Sequence, residues 1–92
     1  MNTFGTFIRA MRERKGLTQK SFANLLGLSP AFWSRIETGR ENPPKDEHLL
    51  RCADILGLPL DDCFIAASRI PPDLRLKLRD VVNVFRKSQN AK

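Results

Sequence analysis

The side chains that could carry reactive chemistry are few and far apart. The 92 residues hold one histidine, His48, two cysteines, Cys52 and Cys63, and serines at 21, 29, 34, 68 and 88. A nucleophile, a base and a group to orient that base cannot be assembled from this set, so no enzyme is expected. A zinc site needs several ligands at close spacing, whereas ten residues separate the two cysteines, so neither a metal nor another cofactor is expected. Cys52 stands three after Leu49 and four before Leu56, on what would be the buried stripe of a helix, and two cysteines make no disulfide framework. Recognition rather than reaction is the chemistry left, and the stretch shaped for it is Leu17 to Pro43.

That stretch reads as two short amphipathic helices hinged at Gly27, a form that commonly seats a helix in a groove of DNA. Thr18 is suited to cap the free amides of the first helix, which carries Phe22, Ala23, Leu25 and Leu26. Ala23 is in the middle of the inward face, where a larger side chain would hold the second helix off. Gly27 supplies a positive φ at the helix end without a Cβ penalty, and Leu28 buries in the turn. Ser29 caps the second helix, Pro30 fits its first position, and the helix runs to about Thr38 before Gly39 stops it. Trp33 and Ile36, three apart, face the body and leave Ala31, Ser34 and Arg35 toward solvent or a partner. Phe32 is read as a packing residue, with contact to a sugar or a base methyl as the other option.

The spacing resembles the phage repressor and Cro (Xre-type) helix-turn-helix family. The residues that carry the resemblance are Leu17-Thr18-Gln19, Gly27-Leu28-Ser29, and Ile36-Glu37-Thr38-Gly39 followed by Pro43. It continues through Leu49, Ala53, Leu56, Gly57 and Leu60 to Phe64 and upstream to Arg12, covering roughly residues 4 to 66. It implies an all-α fold, a compact five-helix lambda-repressor-like DNA-binding domain with an additional C-terminal helix. It also implies a sequence-specific transcriptional regulator, a dimeric repressor that reads an inverted-repeat operator in double-stranded DNA through the major groove.

Carried over residue by residue, the family pattern makes Ser29, Pro30, Ala31, Ser34 and Arg35 the base-contacting set. Arg35 leads it, because a guanidinium can bond O6 and N7 of guanine together. The family often has polar side chains where Pro30 and Ala31 stand, so readout there falls to van der Waals contact or DNA shape. Arg12, Thr18, Gln19, Thr38, Arg40 and Asn42 are the phosphate-contacting set, aided by amides of the Thr38 to Asn42 turn. Arg12 and Glu37 also look like the family's internal ion pair, joining the first helix to the end of the third. Two other readings remain open: the antitoxin of a toxin–antitoxin pair or a restriction-system controller, and an interaction adaptor that has lost DNA binding.

The remaining elements must position this pair. Phe4, Phe7, Ile8 and Met11 recur at i, i+3, i+4 and i+7, the stripe of a first helix ending near Gly16. A fourth helix opens on Asp46 and Glu47, where acidic groups favour the helix dipole, and presents Leu49, Cys52, Ala53 and Leu56 inward before Gly57. A short fifth helix, about Leu60 to Ser68, buries Phe64 with Leu60 and Ala67, which completes a domain over residues 1–68. Ile70-Pro71-Pro72-Asp73 is a break, and a sixth helix is expected from Pro72 to about Lys87 within a C-terminal segment, 69–92. Leu74, Leu78, Val81, Val82 and Phe85 form one face of it, with Leu76 and Val84 behind. Either that face docks on its own domain or it pairs with a second subunit, and the family resemblance favours a homodimer.

Charge is distributed in blocks. The formal net charge is +6, but residues 1–45 carry +5, residues 46–68 carry −4 and residues 69–92 carry +5. The helix-turn-helix half is therefore the one suited to a polyanion. No apolar run approaches the roughly 20 residues of a membrane span, and the N-terminus lacks the hydrophobic core of a secretion signal. A cytoplasmic protein with no membrane partner is expected, and no small-molecule ligand, since no sensor domain fits in the remaining length.

Overall fold

Short capping signals start and stop most of these helices. The Thr18 hydroxyl accepts from the Ser21 amide at 3.0 Å and opens α2 (Gln19–Leu26). Gly27, at φ 76°, lets the Leu28 amide reach back to the Ala23 carbonyl at 2.9 Å, a Schellman closure that a Cβ would strain. Ser29 then accepts from the Phe32 amide at 3.1 Å, and Pro30 begins α3 (Pro30–Glu37). α1 (Thr3–Arg14) precedes this pair, and α4 (Asp46–Leu56), α5 (Leu60–Ala66), α6 (Pro72–Arg75) and α7 (Leu78–Asn90) follow it. The computed structural model describes residues 3–75 and 77–90, and within them there is no strand.

The first five helices enclose one apolar core, as the all-α, five-helix reading expects. Phe4 and Ile8 from α1 meet Phe22, Ala23 and Leu26 from α2, Trp33 and Ile36 from α3, and Leu49, Cys52, Ala53 and Leu56 from α4, with Cys63 and Phe64 from α5 beneath. Each large side chain removed from water there contributes about 1.5 to 3 kcal/mol. The Phe22 and Trp33 rings meet edge to face, centroids 5.1 Å apart, across the point where fully buried Ala23 lets α2 and α3 approach. Both cysteines are free and fully buried, and burial raises both thiols, Cys63 to about 11, so neither offers a thiolate near neutral pH.

Three expectations are corrected. Leu25 is 51% exposed, because an eight-residue helix with Phe22, Ala23 and Leu26 facing inward turns the intervening position to solvent. α5 ends at Ala66, and Leu60 and Ala67 are only half-buried beside fully buried Phe64. The single sixth helix is instead two, α6 and α7, with Lys77 in a turn whose amide reaches the Leu74 carbonyl at 3.0 Å. Arg75 ties the end of the first piece to the body, donating to the Ile70 carbonyl at 2.6 Å and to Asp46 at 2.8 Å. Leu76 lies outside the described residues, as do the side chains of Leu78 and Val81.

The described side chains of α7 add nothing to the core. They are exposed, including Val84 at 68% and Phe85 at 61%. The Cα radius of gyration, 15.2 Å, exceeds the roughly 12 Å of a compact chain of this length, and the principal extents of 49 × 25 × 22 Å place the excess along one axis. No helix among the described residues is long and apolar enough to cross a membrane.

Candidate nucleic-acid interface

α3 has two faces with opposite tasks. Trp33, Ile36 and Glu37 are buried, while Pro30, Ala31 and Arg35 are exposed and Ser34 is half-buried beside them. The outward stripe therefore joins the first turn of α3 to the next, as a helix lying in the major groove requires. Ser29 stands at its head, its oxygen accepting from the Phe32 amide, which leaves the hydroxyl proton and one lone pair to offer.

Glu37 fixes the direction in which that stripe points. Its side chain is 1% exposed and accepts hydrogen bonds from side chains of three helices. Arg12 of α1 donates from Nε to Oε2 at 2.7 Å and from Nη2 to Oε1 at 3.1 Å. Gln19 of α2 donates to Oε1 at 2.9 Å, and the Trp33 indole donates to Oε2 at 2.6 Å. Burial alone would push the Glu37 carboxyl up, but the donors from Arg12, Gln19 and Trp33 outweigh it and hold the group below the usual glutamate value. The pair also raises the Arg12 guanidinium, chiefly through its hydrogen bonds to Glu37.

Of the two roles read for Arg12, the geometry supplies the internal one. Its side chain is 7% exposed, and its third nitrogen, Nη1, donates to the Leu17 carbonyl at 2.6 Å, so little of it is offered to a phosphate. The turn after α3 also departs from expectation. The amides of Thr38, Gly39, Arg40 and Glu41 are spent on the carbonyls of Ser34, Ile36 and Arg35, at 2.8 to 3.2 Å, closing the helix instead of facing a ligand. The Thr38 hydroxyl likewise donates to the Ser34 carbonyl at 3.0 Å. Arg40 and Asn42 are exposed on this turn, and Thr18 and Gln19 stand at the start of α2.

Arg35 is held on two sides. Its guanidinium carbon lies 5.6 Å from the centroid of the Phe32 ring, and its Nε lies 3.6 Å from a carboxylate oxygen of Glu41. Neither neighbour was legible as a partner of Arg35, since Phe32 reads as a packing residue and Glu41 carries no signal of its own. A second cluster was missed altogether. Arg69 donates to the Pro44 carbonyl at 2.6 Å and to Asp46 at 3.1 Å, so the loop leaving the candidate interface is anchored to the segment after α5.

A profile of the helix-turn-helix domain matches residues 3–63. This chain belongs to the helix-turn-helix domain family. The resemblance to the repressor and Cro (Xre-type) regulators holds, and the protein is a transcriptional regulator with a helix-turn-helix DNA-binding domain. It is similar to the HTH-type transcriptional repressor RghR of Bacillus subtilis, 36% identical over 92% of this chain and 69% of that protein. The uncharacterized HTH-type transcriptional regulator RghRB of the same organism is 30% identical over 99% of this chain and 68% of its own length. Among solved structures, the clp gene regulator ClgR of Corynebacterium glutamicum superposes with a TM-score of 0.63 at 28% identity, covering 95% of this chain and 90% of that one. That coverage carries the likeness beyond α5 into the C-terminal helices of this helix-turn-helix protein.

Proposed function

We propose that the protein is a repressor that binds an inverted-repeat operator as a homodimer in the cytoplasm, with α3 in the major groove of each half-site. The observation that carries this reading is the outward stripe of Pro30, Ala31, Ser34 and Arg35, backed by a Glu37 network that leaves α3 one orientation on the body. Ser29 and Ser34 supply hydroxyls to base edges, Pro30 and Ala31 supply shape and methyl contact, and Arg35 takes a guanine. The α2 terminus at Thr18 and Gln19, with Arg40 and Asn42, seats the module on phosphates. The repressor name of RghR supports the sign of regulation.

The exposed Val82, Val84 and Phe85 of α7 support a second copy as the other half of the assembly. Two modules would then face half-sites about 34 Å apart, one helical turn. Selection of bound sequences from a random duplex pool tests the reading. The expected product is a palindrome bound about a thousandfold or more tighter than random duplex. Equal affinity for the selected and the random duplex overturns it.

A further inference from the structure

We infer that Glu41 is a specificity-setting residue that acts by positioning Arg35, holding its guanidinium ready for a guanine edge and disfavouring its use on a phosphate. The inference rests on the proposal that α3 enters the major groove, and it adds a residue outside the set expected to touch DNA.

The backbone places Glu41 where it can do this. The amides of both Arg40 and Glu41 donate to the Arg35 carbonyl, at 2.8 and 3.2 Å, so the turn folds back on the residue it serves. The carboxylate then lies on the Nε side of the guanidinium, 3.6 Å away, and the Phe32 ring lies against its plane. Held at Nε and across one face, the side chain keeps its two terminal nitrogens free to reach O6 and N7 of guanine as a fork. Holding Arg35 in that pose reduces the rotamer freedom it must lose on meeting the base.

On a sequence without the guanine, Arg35 has only a backbone phosphate to approach. Glu41 travels with it, and its negative charge opposes that approach. The same carboxylate therefore favours the base contact and weakens the unspecific one. Both side chains are close to half exposed, 47% and 41%, so the effect on each binding mode is a small factor rather than an order of magnitude.

The experiment compares wild type, E41Q, R35A and the double variant on the selected operator and on a random duplex, over a range of salt concentrations. E41Q is expected to bind the operator about two- to fivefold more weakly and random duplex about two- to fivefold more tightly. Its salt slope on random duplex should steepen by about 0.9, the signature of one more phosphate neutralised. In the R35A background, Glu41→Gln should change both affinities by one common factor. A specificity ratio unchanged by E41Q overturns the inference, as does a ratio that falls equally with and without Arg35. If wild type fails to distinguish the two duplexes, the groove-reading proposal falls too. If wild type distinguishes them and E41Q does so equally well, only the role of Glu41 is lost.

Discussion

Two carboxylates each gather side-chain donors, and they do so in opposite surroundings. Glu37 lies inside the body with Arg12, Gln19 and Trp33 around it, its side chain 1% exposed. Asp46 lies at the surface at the start of α4, its side chain 31% exposed, between Arg69 and Arg75. The buried cluster sets the angle of α3 against α1 and α2. The surface cluster ties the loop after α3 to the chain leading into α6 and α7. A buried pair is costly to break because the surviving charge cannot return to water, whereas an exposed one gives its partners back to solvent. Similar chemistry therefore makes one cluster a structural pivot and the other a light tether.

Glu37→Ala should separate the two most sharply. It leaves the Arg12 guanidinium buried without its counter-charge and the Trp33 indole without an acceptor, so a loss of about 3 to 5 kcal/mol in urea unfolding is expected. A loss under about 1 kcal/mol would show that the pocket relaxes and that Glu37 is no pivot.

Acid titration sharpens the comparison next. The folded Glu37 carboxyl lies below its ordinary value of 4.5, so its stabilisation is complete above that pH and is lost as the pH falls through the lower, folded value. Asp46 is also held below its ordinary 3.8, first by the hydrogen bond from Arg75 and then by that from Arg69, but its exposure leaves little to lose. Unfolding free energy should therefore decline below about pH 4.5 in wild type. That decline should flatten in E37Q and persist in D46N; the reverse pattern would exchange the ranking of the two sites.

The smallest effects belong to the tether. Arg69→Ala removes bonds to the Pro44 carbonyl and Asp46 from a side chain 28% exposed, and should cost about 1 to 2 kcal/mol. Arg75→Ala, from a side chain 44% exposed, should stay within about 0.5 kcal/mol. Equal losses from the two substitutions would mean that the tether depends on the charge at Asp46 and not on the carbonyl that Arg69 reaches.

What the sequence discloses follows from how local its signals are. Thr18, Gly27, Ser29 and Pro30 act within one turn of themselves, and the helix-turn-helix pair could be read from them. Trp33 and Ile36 were legible as inward because spacing along a helix fixes the face, although nothing foretold that the indole would donate to Glu37. Arg12 and Glu37 are 25 residues apart and could be paired only through a family pattern. Arg69 and Asp46 are 23 apart with no such pattern, and any of several surface acids could have served Arg69. The break between α6 and α7 was hidden for a related reason. Neither proline nor glycine occupies residues 73–78, and Arg75 is held at that point by Asp46, 29 residues away. The amides of residues 38–41 were misassigned because a polar turn looks from its residues alone like a donor nest, whereas the carbonyls ending α3 take those donors first.

The chain contains one tryptophan and no tyrosine, and that tryptophan is Trp33. Near-ultraviolet light absorbed at the red edge of the spectrum is thus emitted by a single indole, fixed to the inner face of α3 and bonded to the Glu37 carboxylate. The protein carries its own optical gauge at the place where its geometry is decided. A shift in emission colour or lifetime, read without any added label, would register any motion that parts the indole from Glu37.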